Sequence, residues 1–169
     1  MIFGKISVLL LSMGSSVGKG YSAVNRAYLA GFFDADGAIM ACIEKHAEKK
    51  FRFRVRLFIK ITQKTPLVLE KFKQELGFGR IRLNRHVYDY DLQDQQLIYQ
   101  FIDLITPYVF VKRPQLRLAK QILDTKIENL ETLIQVAQLA DTLSGYNVRS
   151  STRRRNYTSK IQEYFSSND

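Results

Sequence analysis

One stretch of nine residues, LAGFFDADG at positions 29–37, constrains the fold of this chain more than any other feature. It ends an apolar run with two carboxylates and a glycine, which is the pattern of a helix that stops sharply. We predict a helix from about Ser22 to Asp36, with Gly37 ending it in a left-handed conformation. The small residues that would let another backbone approach this helix closely are Ala30, Gly31 and Ala35.

The two carboxylates of this stretch, Asp34 and Asp36, lie at the end of the predicted helix where acids are unfavourable. A helix C-terminus already carries a partial negative charge, so the pair needs a compensating positive charge. A divalent cation with oxygen ligands is the obvious candidate. Because Asp34 lies about 200° around the helix from Asp36, the two carboxylates do not share one position, and we assign a structural role to Asp34.

Residues 51–63 predict a long strand with one apolar face and one basic face. A period of two over this length is typical of a half-buried strand. The apolar face comprises Phe51, Phe53, Val55, Leu57, Ile59 and Ile61, and the other comprises Arg52, Arg54, Arg56, Phe58 and Lys60. A solvated sheet edge would also tolerate these cations. Because three neighbouring arginines repel one another unless an anion lies opposite, we favour nucleic acid as the partner of this face.

The rest of the chain predicts a mixed α+β domain in the order helix, two strands, helix, two strands and further helices. A strand over residues 38–44 precedes the basic strand, and Pro66 and Gly77 delimit the next helix. A hairpin over residues 80–92 follows. Further helices are predicted over 95–105, 114–127, 129–143 and 160–165.

The composition favours one basic domain. The chain has 169 residues and a formal net charge of +10, and this excess favours a polyanionic partner, with nucleic acid ahead of a membrane surface. Cys42 is the only cysteine, which excludes an internal disulfide and favours a reducing compartment. No stretch of twenty apolar residues predicts a membrane span. We expect residues 1–20 to be a partly disordered extension and residues 21–169 a single domain with a basic loop at 146–156.

The motif at 29–37 resembles that of the LAGLIDADG homing endonucleases. Seven of its nine letters match, and the departures Phe32 and Phe33 are both at apolar positions. The predicted order of elements from Ser22 to about Tyr146 agrees with the same family. A single motif implies a homodimer in which one motif helix from each subunit lies at the interface. The interface residues implied in this way are Leu29, Ala30, Gly31, Phe33 and Asp34.

The fold that this resemblance implies is a curved four-stranded antiparallel sheet that straddles double-stranded DNA, with helices packed behind it. A strand of about ten residues spans roughly 33 Å, which is about ten base pairs, and the major groove admits a two-stranded ribbon. The residues of the sheet and its turns that we expect to contact DNA are Met40, Cys42, Glu44, His46, Arg52, Arg54, Arg56, Lys60, Arg80, Arg82, Asn84, Arg85, His86, Asp89 and Asp91. The tail residues expected to hold phosphates are Arg149, Arg153, Arg154 and Arg155.

The activity that the resemblance implies is metal-dependent hydrolysis of DNA at a long, pseudo-palindromic site, leaving short 3′ overhangs. Asp36 matches the family's metal ligand, and the backbone carbonyl of Ala35 is the implied second ligand. Mg²⁺ is the expected cofactor, Mn²⁺ is expected to substitute, and Ca²⁺ to bind without supporting cleavage. Gln63 matches the residue that positions the attacking water, and Lys112 matches the residue that stabilises charge near the scissile phosphate.

Two other functions stay open on the sequence alone. Some members of the family act as RNA maturases, and the arginines would serve an RNA backbone equally well. A chain that had lost its acid would only bind DNA, whereas Asp36, Gln63 and Lys112 together favour an active nuclease. The family further implies an intron-encoded, intracellular protein of a mitochondrion or chloroplast.

Overall fold

The structure of this chain is a computed structural model that describes residues 23–147 and 154–167. Its elements are α1 (Ala23–Asp36), β1 (Gly37–Lys45), β2 (Phe53–Gln63), α2 (Leu67–Leu76), β3 (Arg80–Asn84), β4 (Val87–Leu92), α3 (Gln95–Ile105), α4 (Arg113–Asp124), α5 (Leu130–Asn147) and α6 (Tyr157–Ser166). The strands form one antiparallel sheet in the order β1-β2-β4-β3. The predicted α+β class and the predicted order of elements are confirmed. Among these helices, none is long and apolar enough to cross a membrane.

Alternation along β2 decides which face of the sheet is buried. Leu57, Ile59 and Ile61 are almost fully buried, whereas Phe58 and Lys60 between them stay partly exposed. The register carries this alternation to both neighbours, because Ile59 lies opposite Ile39 of β1 and Leu92 of β4. One face of the sheet therefore joins the core and the other stays open, as a period of two requires.

One hydrophobic core joins the closed face of the sheet to the helices. Phe33 of α1 contacts Phe101 of α3, with ring centroids 5.5 Å apart. The other helices add buried side chains to the same core, among them Leu69, Leu116, Leu133 and Ile161. Because each such side chain contributes about 1.5–3 kcal/mol when fully buried, this core fixes the end of α1 against the sheet.

Two side chains from α5 and α6 cover the outer edge of β1. The Nδ2 atom of Asn147 donates to the carbonyl of Ile39 at 2.6 Å, and the hydroxyl of Tyr157 donates to the carbonyl of Ala41 at 3.2 Å. An unpaired strand edge invites pairing with another chain. These hydrogen bonds occupy that edge in β1.

Gly37 is required for a different reason from the one predicted. It is not left-handed but begins β1 directly after α1. A Cβ atom at Gly37 would lie 2.3 Å from Cδ2 of Phe33, so close packing excludes a side chain there. The predicted stop at Gly77 is confirmed, since this residue caps α2 with a φ of 75°.

Two other local predictions are wrong. The helix predicted over 129–143 continues to Asn147, because a glycine such as Gly145 costs a helix only about 1 kcal/mol and Asn147 is held on β1. Arg52 does not lie on the basic face of β2. It occupies the preceding turn with a φ of 59°, and its guanidinium donates to the carbonyl of Ala47 at 2.5 Å.

Candidate active site

Asp36 and Gln63 meet where α1 and β2 end. The Nε2 atom of Gln63 donates to Oδ2 of Asp36 at 2.7 Å, and the Asp36 side chain is exposed. Since α1 leads directly into β1, the pairing of Gly37 with Ile61 across the two strands fixes this contact. Sheet pairing thus joins two polar residues that are 27 positions apart in the sequence.

Lys112 reaches the same place from the connection between α3 and α4. Its Nζ atom donates to the backbone carbonyl of Asp34 and lies 3.4 Å from that of Ala35. The ammonium therefore lies at the C-terminus of α1, where a positive charge is favourable. Partial burial lowers the pKa of Lys112, and the carboxylates of Asp34 and Asp36 oppose that shift. The sequence predicted a metal ion to balance the negative charge at this helix end. The ammonium of Lys112 balances part of that charge from within the same chain.

The carboxylate of Asp34 holds the loop that carries Lys112. Its Oδ2 atom accepts from the backbone N–H groups of Phe110 at 2.7 Å and Val111 at 3.2 Å, and Oδ1 accepts from that of Lys112 at 2.8 Å. Burial raises the pKa of Asp34, but these hydrogen bonds outweigh it and hold the pKa below its ordinary value. Sequence analysis missed Phe110 and Val111, because backbone donors leave no signal in residue types.

The donor set around Asp36 fits Mg²⁺ as part of a composite site. Within the described residues, no group of three or more His, Cys, Asp or Glu side chains could hold a metal ion. Mg²⁺ usually keeps several waters and uses one or two carboxylates together with substrate phosphates. The exposed Asp36 carboxylate, together with phosphate oxygens of a bound DNA, would meet that requirement.

The structure corrects the predicted subunit interface. Leu29, Ala30 and Phe33 are 4%, 0% and 0% exposed, because they pack into the core of their own chain, and Asp34 binds the loop before α4. Of the predicted set, only Gly31 is exposed. The exposed residues that recur every four positions along α1 are Ala27, Gly31 and Ala35.

Three acids on the open face of the sheet form ion pairs with cations of the same face. The pairs are Arg54 with Glu44, Lys60 with Asp89 and Arg82 with Asp91, with nitrogen–oxygen distances of 2.8, 3.0 and 2.7 Å. Of the three arginines whose mutual repulsion favoured a bound anion, Arg54 is already paired with Glu44 and Arg52 lies in the turn before β2. The chain supplies anions of its own.

Two of these acids are nearly inaccessible to solvent. Asp89 and Asp91 are 2% and 7% exposed. Asp89 also accepts from the hydroxyl of Thr62 at 2.6 Å and from the amide of Asn84 at 2.9 Å. Burial raises the pKa of Asp89, but hydrogen bonds from Thr62, Asn84 and Lys60 outweigh it and lower the pKa. Sequence analysis missed Thr62, although the period of two puts it on the same face as Lys60.

The remaining predicted DNA contacts lie along the open face or at its ends. Met40, Cys42, Arg56 and Arg80 lie on the strands, His46 and Arg52 between β1 and β2, Arg85 and His86 between β3 and β4, and Arg154 and Arg155 before α6. Arg149 and Arg153 lie outside the described residues. The structure thus separates a face that carries cations from the end of the sheet that carries Asp36.

A helix that ends in an exposed acid beside a four-stranded antiparallel sheet is the architecture of one class of nuclease. The LAGLIDADG endonuclease family matches residues 29–123, a range that includes Asp36, Gln63 and Lys112. This chain belongs to that family.

Two named DNA endonucleases are similar to it. I-CreI of Chlamydomonas reinhardtii is 31% identical over 132 residues, which cover 75% of this chain and 80% of that protein. I-CvuI of Chlorella vulgaris is 31% identical over 121 residues, which cover 68% of this chain and 74% of that protein.

Solved structures share the fold. A crystal structure of I-CvuI bound to DNA superposes with a TM-score of 0.73 at 26% identity and covers 83% of this chain and 91% of that chain. The archaeal endonuclease I-Vdi141I, complexed with DNA, gives a TM-score of 0.73 at 22% identity and covers 83% and 96% of the two chains. The predicted family and the predicted sheet with helices behind it are confirmed.

Proposed function

We propose that this chain is a site-specific DNA endonuclease that hydrolyses phosphodiester bonds as a homodimer with a divalent metal ion. The observation that carries the proposal is the meeting of Asp36, Gln63 and Lys112 at one end of the sheet. The family includes the DNA endonucleases I-CreI and I-CvuI. The open face of the sheet is the proposed DNA-binding surface.

Asp36 and the carbonyl of Ala35 are the residues that would hold Mg²⁺. When bound, the ion supplies an activated water and neutralises the leaving oxygen. Gln63 donates to Asp36 through its amide nitrogen, and its amide oxygen is an acceptor for the attacking water. The water oxygen releases a proton to solvent and forms a bond to phosphorus, the bond from phosphorus to the leaving sugar oxygen breaks, and that oxygen takes up a proton.

Lys112 supplies a fixed positive charge beside this reaction. Its ammonium is held by the backbone carbonyl of Asp34, so little reorganisation is needed when negative charge develops on the phosphate. Donors held in place in this way commonly contribute about 10²–10³-fold to a rate. The reciprocal contacts between Asp34 and Lys112 support a positioning role for Asp34.

A second copy of the chain completes the proposed site. One chain offers one Asp36 carboxylate, whereas a double-strand break requires cleavage of two strands. The small exposed residues of α1 would let the same helix of a second copy pack closely. Phe110 and Val111, which are 84% and 66% exposed, add apolar surface at the loop that binds Asp34. Since its substrate is DNA, we place the protein inside the cell, and an organelle remains a prediction from the family.

The experiment that tests the function compares wild type with Asp36→Asn on a randomised double-stranded DNA library. Wild type should cleave selected sequences in Mg²⁺ and should bind them uncleaved in Ca²⁺ or chelator. Asp36→Asn should cleave at least about 10³-fold more slowly, since metal catalysis is worth several kcal/mol, while DNA binding stays largely intact.

The matched control is Asp103→Asn, which removes a carboxylate from an ion pair with Lys120 on the helices. This variant should cleave like wild type. Normal cleavage by Asp36→Asn would remove the metal-holding role from Asp36. If wild type cleaves no sequence with any divalent metal ion, the proposed activity itself is contradicted.

A further inference from the structure

Two of the three ion pairs on the open face run diagonally between strands, whereas Arg54 binds Glu44 directly opposite it in the register. Arg82 lies opposite Asp89 in the strand register, yet its guanidinium binds Asp91. Lys60 lies opposite Asp91, yet its Nζ atom is 3.0 Å from Asp89 and 3.9 Å from Asp91. Lys60 is therefore held between two carboxylates of β4, and Arg82 binds the β4 carboxylate diagonal to its own position rather than the one opposite it.

In both arginine pairs the guanidinium stays accessible to solvent, although Asp91 is buried and Glu44 is exposed. The side chains of Asp91 and Arg82 are 7% and 47% exposed, and those of Glu44 and Arg54 are 44% and 36% exposed. Asp91 binds the Nε and Nη2 atoms of Arg82, and Glu44 binds the same two atoms of Arg54. A guanidinium carries five N–H donors, so the end of each one can still present two donors to a base.

Neutralising a cation changes what it contributes to DNA binding. A free lysine or arginine that neutralises a phosphate releases counterions and strengthens binding to every sequence alike. When a cation is already paired with a carboxylate, the pair carries little net charge, but the cation keeps its directed N–H donors. Such donors distinguish guanine from other bases in the major groove.

We propose that Asp91 and Glu44, with Asp89 in support, determine the sequence specificity of this endonuclease by neutralising and orienting Arg82, Arg54 and Lys60. The paired cations then read bases, and the acids suppress binding to non-cognate DNA. This inference rests on the proposed function, since it requires that the open face meets DNA. It makes these acids positioning residues that need not touch the DNA.

The test measures sequence preference and salt dependence together for the full-length chain. Wild type, Asp91→Asn, Glu44→Gln and Asp103→Asn are each bound to a randomised double-stranded DNA library in chelator, and the bound sequences are read. Affinity for the sequence selected by wild type and for unrelated DNA is then measured at several salt concentrations. Asp103→Asn removes the same charge by breaking an ion pair on the helices, so it controls for net charge.

Asp91→Asn should lower the preference at one base position by about tenfold or more, which is the discrimination expected of a good bidentate contact. It should also bind unrelated DNA more tightly, and the slope of log affinity against log salt should steepen by about one, because a freed arginine now neutralises a phosphate. Glu44→Gln should have the same effect at a different base position. Asp103→Asn should change neither quantity.

Glu44→Gln keeps the test decisive if Asp91→Asn fails to fold, because Glu44 and Arg54 are both substantially exposed. Unchanged preference and an unchanged salt slope in Glu44→Gln and in any folded Asp91→Asn would overturn the inference and leave the acids with a purely structural role. If wild type itself selects no sequence, the proposed function fails instead. The two failures are therefore distinguishable.

Discussion

Asp34 and Asp36 show how two identical residues in one motif acquire different surroundings. Asp36 is exposed and accepts from one side-chain amide, whereas Asp34 accepts from three backbone N–H groups of a distant loop. Hydrogen bonds of this kind stabilise the ionised form of Asp34. They also occupy both of its carboxylate oxygens with contacts inside the same chain. The carboxylate of Asp36, which is exposed and has one hydrogen-bond partner here, is the one that is available to a metal ion.

Asp89 gives a prediction at the scale of one residue. Asp89→Asn should lower the free energy of unfolding at pH 7 by about 1–3 kcal/mol, because three donors lose their charged acceptor. The pKa of Asp89 is held below its ordinary value of 3.8, so the stability that it contributes is present above that pH and is lost as the pH falls through the lowered pKa. Urea unfolding measured from pH 7 down to about pH 2 follows this loss.

The control for this prediction is Asp103→Asn. Its ion pair joins side chains that are 38% and 50% exposed, and solvent screens an exposed pair of this kind so that its loss should change the stability little. If Asp89→Asn lowers the free energy of unfolding by the same amount at low pH as at pH 7, then the shape of the side chain, and not its charge, stabilises this position.

At the scale of the element, the junction between α1 and β1 is the part of the fold on which the site depends most. The helix ends at Asp36 and the strand begins at the next residue, so no loop absorbs an error in their relative orientation. The ring of Phe33 lies where a side chain at Gly37 would be. A change at this junction should therefore move Asp36 away from Gln63.

Gly37→Ala should destabilise the chain by about 1–3 kcal/mol through overpacking, and it should slow cleavage more than it weakens DNA binding. Gly145→Ala in α5 is the matched control, because a Cβ atom there meets nothing within 4 Å and alanine favours helix by up to about 1 kcal/mol. Thermal unfolding and single-turnover cleavage separate the two effects. Equal stability of the two variants would contradict the packing argument.

At the scale of the whole molecule, one chain contains half of the proposed active site. The exposed side of α1 is lined by small residues, and a Cβ atom at Gly31 meets nothing within 4 Å in the single chain. The single chain therefore gives no reason for a glycine at this position. Close approach of a second α1 would give one.

Gly31→Leu should keep the chain folded and should weaken the homodimer, because a large side chain on α1 would hold the two helices apart. Analytical ultracentrifugation should show a dimer for wild type and mostly monomer for Gly31→Leu. Double-strand cleavage should be lost together with the dimer, while the circular dichroism spectrum stays unchanged. A wild-type chain that is monomeric both free and on DNA would rule out the homodimer.

The sequence by itself determined the order of helices and strands, the family, and the face of β2 that is buried. The family followed from the resemblance of the motif at 29–37, whereas periodicity is enough for the elements and the buried face, because a period of two or of 3.6 is a local property of the chain. The motif also identified Asp36 as the acid of interest, and the family match extends over the region that carries Gln63 and Lys112.

Only the tertiary structure decided which side of α1 is free, what Asp34 binds, and which acids neutralise the basic face. Leu29, Ala30 and Phe33 belong to the motif, but packing against α3 and the sheet buries them. The contacts of Asp34 and Asp91 join residues on different elements, and no local pattern records which distant donor reaches a given carboxylate. The charges were visible in the sequence, whereas their pairing follows from strand register and side-chain reach.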